Sequence, residues 1–212
     1  MELYTFFRSS AAFRVRIALN LKGLAVTPHA VHLRKGEQRA PAYLEINPQG
    51  LLPTLVVDGH RLTQSLAILE YLEERFPQPA LLPGDALGRA RVRALANLVA
   101  CEIHPLNNVR VLNYLREHLG QDEAGVATWY RHWIADGLEK LEAALVQDDR
   151  GGPYCQGERP SIADCCLVPQ IFNAKRFDSD LSLYPKTMRI FETCMKLDAF
   201  QRAQPSVQPD AE

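Results

Sequence analysis

Residues 3–23 read Leu3-Tyr4-Thr5-Phe6-Phe7-Arg8-Ser9-Ser10-Ala11-Ala12-Phe13-Arg14-Val15-Arg16-Ile17-Ala18-Leu19-Asn20-Leu21-Lys22-Gly23, and they change character once, at the two serines. Before the serines, Leu3, Tyr4, Phe6 and Phe7 make a short apolar run that predicts an opening strand. Ser9-Ser10 bring helix-cap chemistry, because a short hydroxyl can accept from the free N–H groups of a first helical turn. After them Phe13, Ile17 and Leu21 recur at helical spacing, with Arg14, Arg16 and Lys22 on other faces. Gly23 stops the helix at its C-terminus.

The pattern continues outward from this strand–helix pair. Residues 26–33 predict a second strand, and Pro28 pushes it towards a sheet edge because proline cannot donate to a ladder. Residues 41–44 predict a short helix before Asn47-Pro48. Leu55-Val56-Val57, Asp58-Gly59 and Arg61-Leu62 read as a hairpin, since Asp-Gly tolerates the positive φ angles of a tight turn. Ser65 is expected to cap a helix carrying Ile68, Leu69 and Leu72, stopped by Pro77 and Pro79. The order is β-α-β-α-β-β-α over residues 1–80.

Beyond Leu82-Pro83-Gly84 the periodicity is helical only, so a second domain is expected over 86–212. Val92, Leu95, Val99, Ile103 and Leu106 predict one long helix kinked by Pro105, which lacks a backbone donor. Val126, Trp129, Trp133, Leu138, Leu141 and Leu145 predict another, with both tryptophans in the core. Ser161-Ile162-Ala163-Asp164 resembles a capping box with Asp in place of Glu; the helix it starts is expected to be interrupted near Pro169. Ile190, Cys194 and Leu197 predict a last helix, and the polar tail from Pro205 is expected to be loose.

Composition narrows the function. The 212 residues are 47% hydrophobic and 23% charged, with a formal net charge of −1, so no whole-molecule attraction to nucleic acid or an anionic membrane is expected. No apolar run approaches the roughly 20 residues of a membrane helix. Met1-Glu2-Leu3-Tyr4 is not the pattern of a secretory leader, and a cytoplasmic location is expected. The five cysteines have no regular spacing and no C-x-x-C, which argues against a disulfide framework, dithiol exchange or a cysteine zinc site. Cys165-Cys166 reads as helix packing. No H-x-x-x-H or Cys/His cluster points to a metal.

The stretch from Phe7 to Leu19 resembles the signature of zeta-class glutathione transferases, the maleylacetoacetate and maleylpyruvate isomerases. Asn47-Pro48, Leu52-Pro53-Thr54-Leu55 and Gln64-Ser65-Leu66-Ala67-Ile68 resemble that family's glutathione-binding segments. Residues 103–108, Leu167-Val168-Pro169-Gln170, Arg176-Phe177 and the closing Gln208-Pro209-Asp210 resemble its helical-domain and terminal segments. The resemblance implies a thioredoxin-like N-terminal domain plus an all-α C-terminal domain, glutathione as cofactor, a dicarboxylate or keto-acid substrate, and a homodimer. One departure is Ala11, where the family often has cysteine; it puts cysteine-dependent side reactions in doubt and leaves the serine hydroxyls in place.

The residues then acquire roles. A glutathione thiol should have a free pKa near ~8.5 and be mostly protonated at neutral pH. Lowering it by about two units needs ~2.7 kcal/mol, which a charge-assisted hydrogen bond (~1.5–3) and a helix N-terminus (~0.3–1) together reach. Ser9 is the candidate donor and Ser10 an auxiliary contact; the alternative for both is plain capping. Leu52-Pro53 resembles a cis-proline site that would turn Leu52's backbone towards the cysteinyl moiety. Gln64 and Ser65 would hold the γ-glutamyl carboxylate at a helix N-terminus, and Gln38 is a candidate for the glycyl end.

Arg8, Arg110 and Arg176 could bind a dicarboxylate, since the guanidinium fork matches carboxylate geometry; taken singly, each is better read as a solvated surface residue. His104 and Asn108 are assigned to glutathione contact, on one helical face with Asn107 and Arg110. The activity implied is isomerisation of maleylacetoacetate to fumarylacetoacetate in aromatic catabolism. Alternatives are maleylpyruvate isomerisation, general conjugation or haloacid dehalogenation, and a non-catalytic binding module.

Overall fold

The computed structural model describes residues 1–147 and 150–212. Its contacts divide the chain into two compact units, Met1–Leu81 with Met195–Glu212, and Leu82–Cys194. The sequence placed residues 86–212 together, whereas the final segment joins the first unit.

In the first unit the β-α-β-α-β-β-α order is present. The strands β1 (Glu2–Thr5), β2 (Thr27–Ala30), β3 (Thr54–Val57) and β4 (His60–Thr63) form one mixed sheet in the order β2-β1-β3-β4. β1 and β2 are parallel; β1–β3 and β3–β4 are antiparallel. Pro28 sits on an edge strand, as its missing donor demands. Asp58 and Gly59 both have positive φ (49° and 79°), the geometry of a tight hairpin turn.

β1 is shorter than expected. Phe6 and Phe7 leave the sheet and pack with Val31, Tyr43 and Leu52. Their burial, and not ladder pairing, accounts for the apolar run.

Helix α1 (Ser10–Leu21) buries nine of its twelve residues, among them Arg14 and Arg16. The expectation of cations on outer faces fails because the helix packs against α3 (Ser65–Arg75) and against α9 (Asp198–Gln201) as well. Lys22, just past the helix, is buried too; its Nζ donates to Glu73 Oε2 (2.8 Å) and to the carbonyls of Phe76 (2.7 Å) and Pro79 (3.0 Å). The short helix α2 (Pro41–Leu44) lies where expected.

The tail is not loose. Gln208 Nε2 donates to the carbonyls of Arg202 and Gln204, each at 2.8 Å. Asp210 accepts from Phe7 N–H (2.8 Å), and Glu212 pairs with His32 and Arg34.

The described residues of the second unit hold helices and connecting segments only. α4 (Ala86–Asn97) winds into a π-turn (Leu98–Ile103) and a 3-10 turn (His104–Asn107) before α5 (Val109–Leu119). One kinked helix was expected. Pro105 cannot donate to the carbonyl four residues back, and the chain changes winding there. α6 (Glu123–Gln147) buries Val126, Tyr130, Ile134, Leu138, Leu141 and Leu145. The buried stripe therefore runs beside the tryptophans: Trp129 and Trp133 are half-buried flanks, not core.

α7 (Ile162–Arg176) begins at the predicted capping box and runs unbroken through Pro169. Eleven of its fifteen residues are buried, and that packing outweighs the ~3 kcal/mol cost of an internal proline. α8 (Pro185–Cys194) stops before Leu197, which instead precedes α9.

Gly137 on α6 lets the π-turn approach: a Cβ there would lie 2.2 Å from Ile103 Cγ1. Ile103 is 1% exposed, so making room for that Cβ would displace its packed neighbours. Gly137→Ala gains about 1 kcal/mol of helix propensity but overpacks a core contact at ~1–3 kcal/mol. Thermal melting is expected to show a net loss; an unchanged or raised midpoint would mean the turn can shift freely.

Candidate active site

The sheet register gathers the first unit's candidates at one end. Tyr4 is opposite Thr54, and Thr54 is opposite Thr63. The exit of β1, the entry of β3 and the exit of β4 are thus neighbours. Ser9, Leu52-Pro53 and Gln64-Ser65 follow or precede those ends by a few residues. The cluster of Phe6, Phe7, Val31, Tyr43 and Leu52 forms their apolar support.

Ser9 is the N-cap of α1, with φ −69° and ψ 112°, and its Oγ accepts from Ala12 N–H at 3.2 Å. Ser9 N–H donates to Phe6 O at 2.9 Å. A hydroxyl has one donor proton and two acceptor lone pairs. Capping uses an acceptor only, so the proton stays free to meet an anion at the positive end of the helix. The two readings of Ser9 therefore coexist. Ser10 is the first helical residue and is 7% exposed.

The Leu52-Pro53 peptide is cis. Neither Leu52's N–H nor its C=O is used in a hydrogen bond among the described residues, so both can pair with an extended ligand. The preceding carbonyl, of Leu51, is held by Tyr43 Oη (2.6 Å) and Asn47 Nδ2 (2.8 Å). Gln38 lies in a 3-10 turn (Glu37–Arg39); it is 8% exposed with its Oε1 unpartnered.

At α3 the cap is Gln64, not Ser65. Gln64 has φ 67°, a left-handed value for a non-glycine residue, and no side chain caps the helix's first N–H groups. Such strain concentrates at functional positions. Ser65 is the first helical residue, and its Oγ accepts from Arg14 Nη1 at 3.1 Å. Arg14 is 2% exposed. It brings a buried positive charge to this helix start, a contribution the sequence reading missed. The signal was available: two arginines, Arg14 and Arg16, in an otherwise apolar helix.

Arg8 is exposed, its Cζ 5.0 Å from the Phe7 ring centroid. The remaining candidates lie in the second unit. His104 opens the 3-10 turn; Asn108 breaks the winding with ψ 147° and caps α5, accepting from Arg110 N–H at 3.1 Å. His104, Asn107, Asn108 and Arg110 do not share one helical face, because Asn108 is extended. Arg110 is exposed in the first turn of α5.

This segment is tied to α6 by Asn107 Nδ2 to Tyr130 O (3.5 Å) and by Trp129 Nε1 to Leu106 O (2.8 Å). Arg176 ends α7 beside the same Tyr130, whose ring stacks on Phe177 at 3.5 Å between centroids. Burial lifts the Tyr130 phenol to about 12, against the pull of the Arg176 charge, so it stays protonated. Burial also raises the Cys155 and Cys194 thiols, which makes neither a nucleophile at neutral pH. Cys165 and Cys166 are fully buried, as helix packing requires.

The arrangement in the first unit can bind an extended thiol peptide along β3 and lower its thiol pKa. The chain is similar to known proteins over its whole length. Residues 3–80 match the family model for the glutathione S-transferase N-terminal domain. A maleylacetoacetate isomerase from Pseudomonas aeruginosa is 50% identical over 213 residues, covering 99% of this chain and 98% of that one. The holo structure of a zeta-class bacterial maleylpyruvate isomerase superposes with a TM-score of 0.98 at 50% identity over 100% of both chains. A maleylacetoacetate isomerase from Methylobacterium extorquens, solved with malonate and glutathione bound, gives 0.97 at 44% identity, also over 100% of both.

Proposed function

The chain belongs to the zeta class of the glutathione S-transferase family and is an enzyme, and from that premise we propose that it isomerises maleylacetoacetate to fumarylacetoacetate with glutathione as coenzyme. The observation that carries the chemistry is Ser9: its hydroxyl caps α1 through a lone pair and keeps its proton for sulfur. The unused backbone of Leu52, the uncapped start of α3 and Arg14 behind Ser65 support a tripeptide bound across β3 with its γ-glutamyl carboxylate at Gln64-Ser65. Gln38, His104 and Asn108 are assigned to further glutathione contacts, and Ser10 to an auxiliary one.

In the proposed reaction the thiolate adds to the cis double bond. A C–S bond forms and the alkene electrons move into the adjacent carbonyl as an enolate. The former double bond is now single and rotates. The enolate then collapses, the C–S bond breaks, and the trans product leaves with glutathione regenerated. Nothing is oxidised or reduced. Arg8, Arg110 and Arg176 would bind the carboxylates and offset the enolate charge where it develops. The Methylobacterium relative is solved with malonate as well as glutathione bound, and malonate is a small dicarboxylate of the kind this requires.

The unit of Met1–Leu81 with Met195–Glu212 would form the glutathione domain and Leu82–Cys194 the substrate domain of a cytoplasmic homodimer that acts in tyrosine or other aromatic breakdown. Maleylpyruvate is a second candidate substrate, because the maleylpyruvate isomerase is as close in sequence as its maleylacetoacetate counterpart. Purified protein is expected to convert one or both substrates only when glutathione is added. Turnover without glutathione would overturn the proposal, and the ratio of kcat/KM values ranks the substrates.

A further inference from the structure

The corner between β1 and α1 is held from both sides. Phe7 N–H donates to Asp210 Oδ2 at 2.8 Å, across 203 residues of chain. Arg16, 6% exposed, donates from Nη2 to Phe7 O (3.0 Å), from Nη1 to Phe6 O (3.3 Å) and Thr5 Oγ1 (3.0 Å), and from Nε to Ala203 O (3.1 Å). A carboxylate and a guanidinium thus clasp the two sides of residue 7, two positions before Ser9. Burial pulls the Arg16 guanidinium down to about 10 and the Asp210 charge pushes it back up, so it remains a cation at neutral pH.

Asp210 is itself fixed. On one side Gln208 binds the carbonyls of Arg202 and Gln204. On the other, Glu212 accepts from His32 Nε2 at 2.6 Å. His32 Nδ1 accepts from Lys35 N–H at 3.2 Å, which places the ring proton on Nε2 for Glu212.

We infer that Asp210 is a positioning residue for the Ser9 hydroxyl: the tail holds the β1–α1 corner at the register that aims Oγ–H at the glutathione sulfur. The inference rests on the reading that Ser9 stabilises the thiolate. Its physical basis is that a displacement of about 1 Å at a reacting group can cost on the order of 10²-fold. A buried N–H such as that of Phe7 also needs its partner to stay in place. Ordinary docking of a chain end would give stability alone. The two differ in what the bound sulfur reports.

The experiment measures the thiolate absorbance of glutathione bound to the full-length protein at neutral pH, with melting followed in parallel. Asp210→Ala is expected to lower the thiolate fraction roughly fivefold while the protein remains folded. Asp210→Asn keeps an acceptor oxygen for Phe7 N–H and is expected to retain most of the signal. In a Ser9→Ala background, Asp210→Ala is expected to change nothing further, because residues acting through one another are not additive. Should Asp210→Ala not fold, Glu212→Gln, which loosens the tail beyond Asp210 and leaves Phe7 N–H its acceptor, takes its place and is expected to lower the thiolate fraction in the same direction, and likewise to add nothing in the Ser9→Ala background.

A thiolate fraction unchanged by Asp210→Ala, or lowered equally in both backgrounds, overturns this inference alone. Absence of thiolate on the wild-type protein overturns the functional proposal and this inference with it.

Discussion

Ser9→Ala is expected to reduce kcat/KM at neutral pH by roughly ten- to 150-fold, the range that a charge-assisted hydrogen bond of ~1.5–3 kcal/mol spans. The lost group is the proton on Oγ. Without it the bound thiol titrates at higher pH, and the rate of the variant should climb as pH is raised through that new value. The substitution also removes the acceptor for Ala12 N–H, which costs about 1 kcal/mol of stability. Ser9→Gly separates the two effects: glycine at an N-cap costs only a few tenths of a kcal/mol, yet it lacks the proton. Equal rate losses in Ala and Gly variants, with different melting points, would attribute the rate to the proton. Wild-type kinetics in either variant would remove Ser9 from the reaction.

Lys22→Ala is expected to destabilise the first unit by ~3–5 kcal/mol, the typical cost of stripping one partner from a buried ion pair. Its ammonium has a side-chain exposure of 0% and satisfies one carboxylate and two carbonyls at once. Glu73 also accepts from the Leu81 N–H (2.9 Å), but its carboxylate would lose this cation. In the Lys22→Ala background, Glu73→Gln should recover part of the loss, because it removes the carboxylate charge left without its cation. Both tryptophans lie in the second unit, so amide hydrogen exchange of β1 and α1 is the suitable readout. A loss under ~1 kcal/mol would show that water reaches the pair and screens it.

The features that could be read from sequence are those with a local cause. Asp58-Gly59 forces a tight turn, Ser9 and the Ser161–Asp164 box supply caps, and Pro28 marks an edge. Each is decided within four residues. Features decided by distant chain were misread. Arg16 looked peripheral because periodicity presumes one wet face, and the segment that covers it starts near residue 198. The tail looked loose because its partners, Phe7, His32 and Arg34, lie far up the chain. Pro169 looked like a break because propensity cannot weigh the packing around α7.

At the candidate site, Ser9 and the Leu52-Pro53 segment were expected from the family resemblance, and the structure shows the one as a helix cap and the other as a cis peptide. Arg14 was missed, since nothing local says that a cation on α1 reaches Ser65 on α3.

The union of Met1–Leu81 with Met195–Glu212 has a consequence for how the protein is made. A ribosome delivers the first strand and helix early, and the segment that completes their packing only after the whole second unit. Until Ala203 emerges, Arg16 Nε lacks its carbonyl, and until Asp210 emerges, Phe7 N–H lacks its carboxylate. The leading unit cannot finish folding before residues 195–212 are made, while the unit of Leu82–Cys194 can. Maturation of the first unit should therefore follow that of the second, in the reverse of the usual order in which the N-terminal domain settles first.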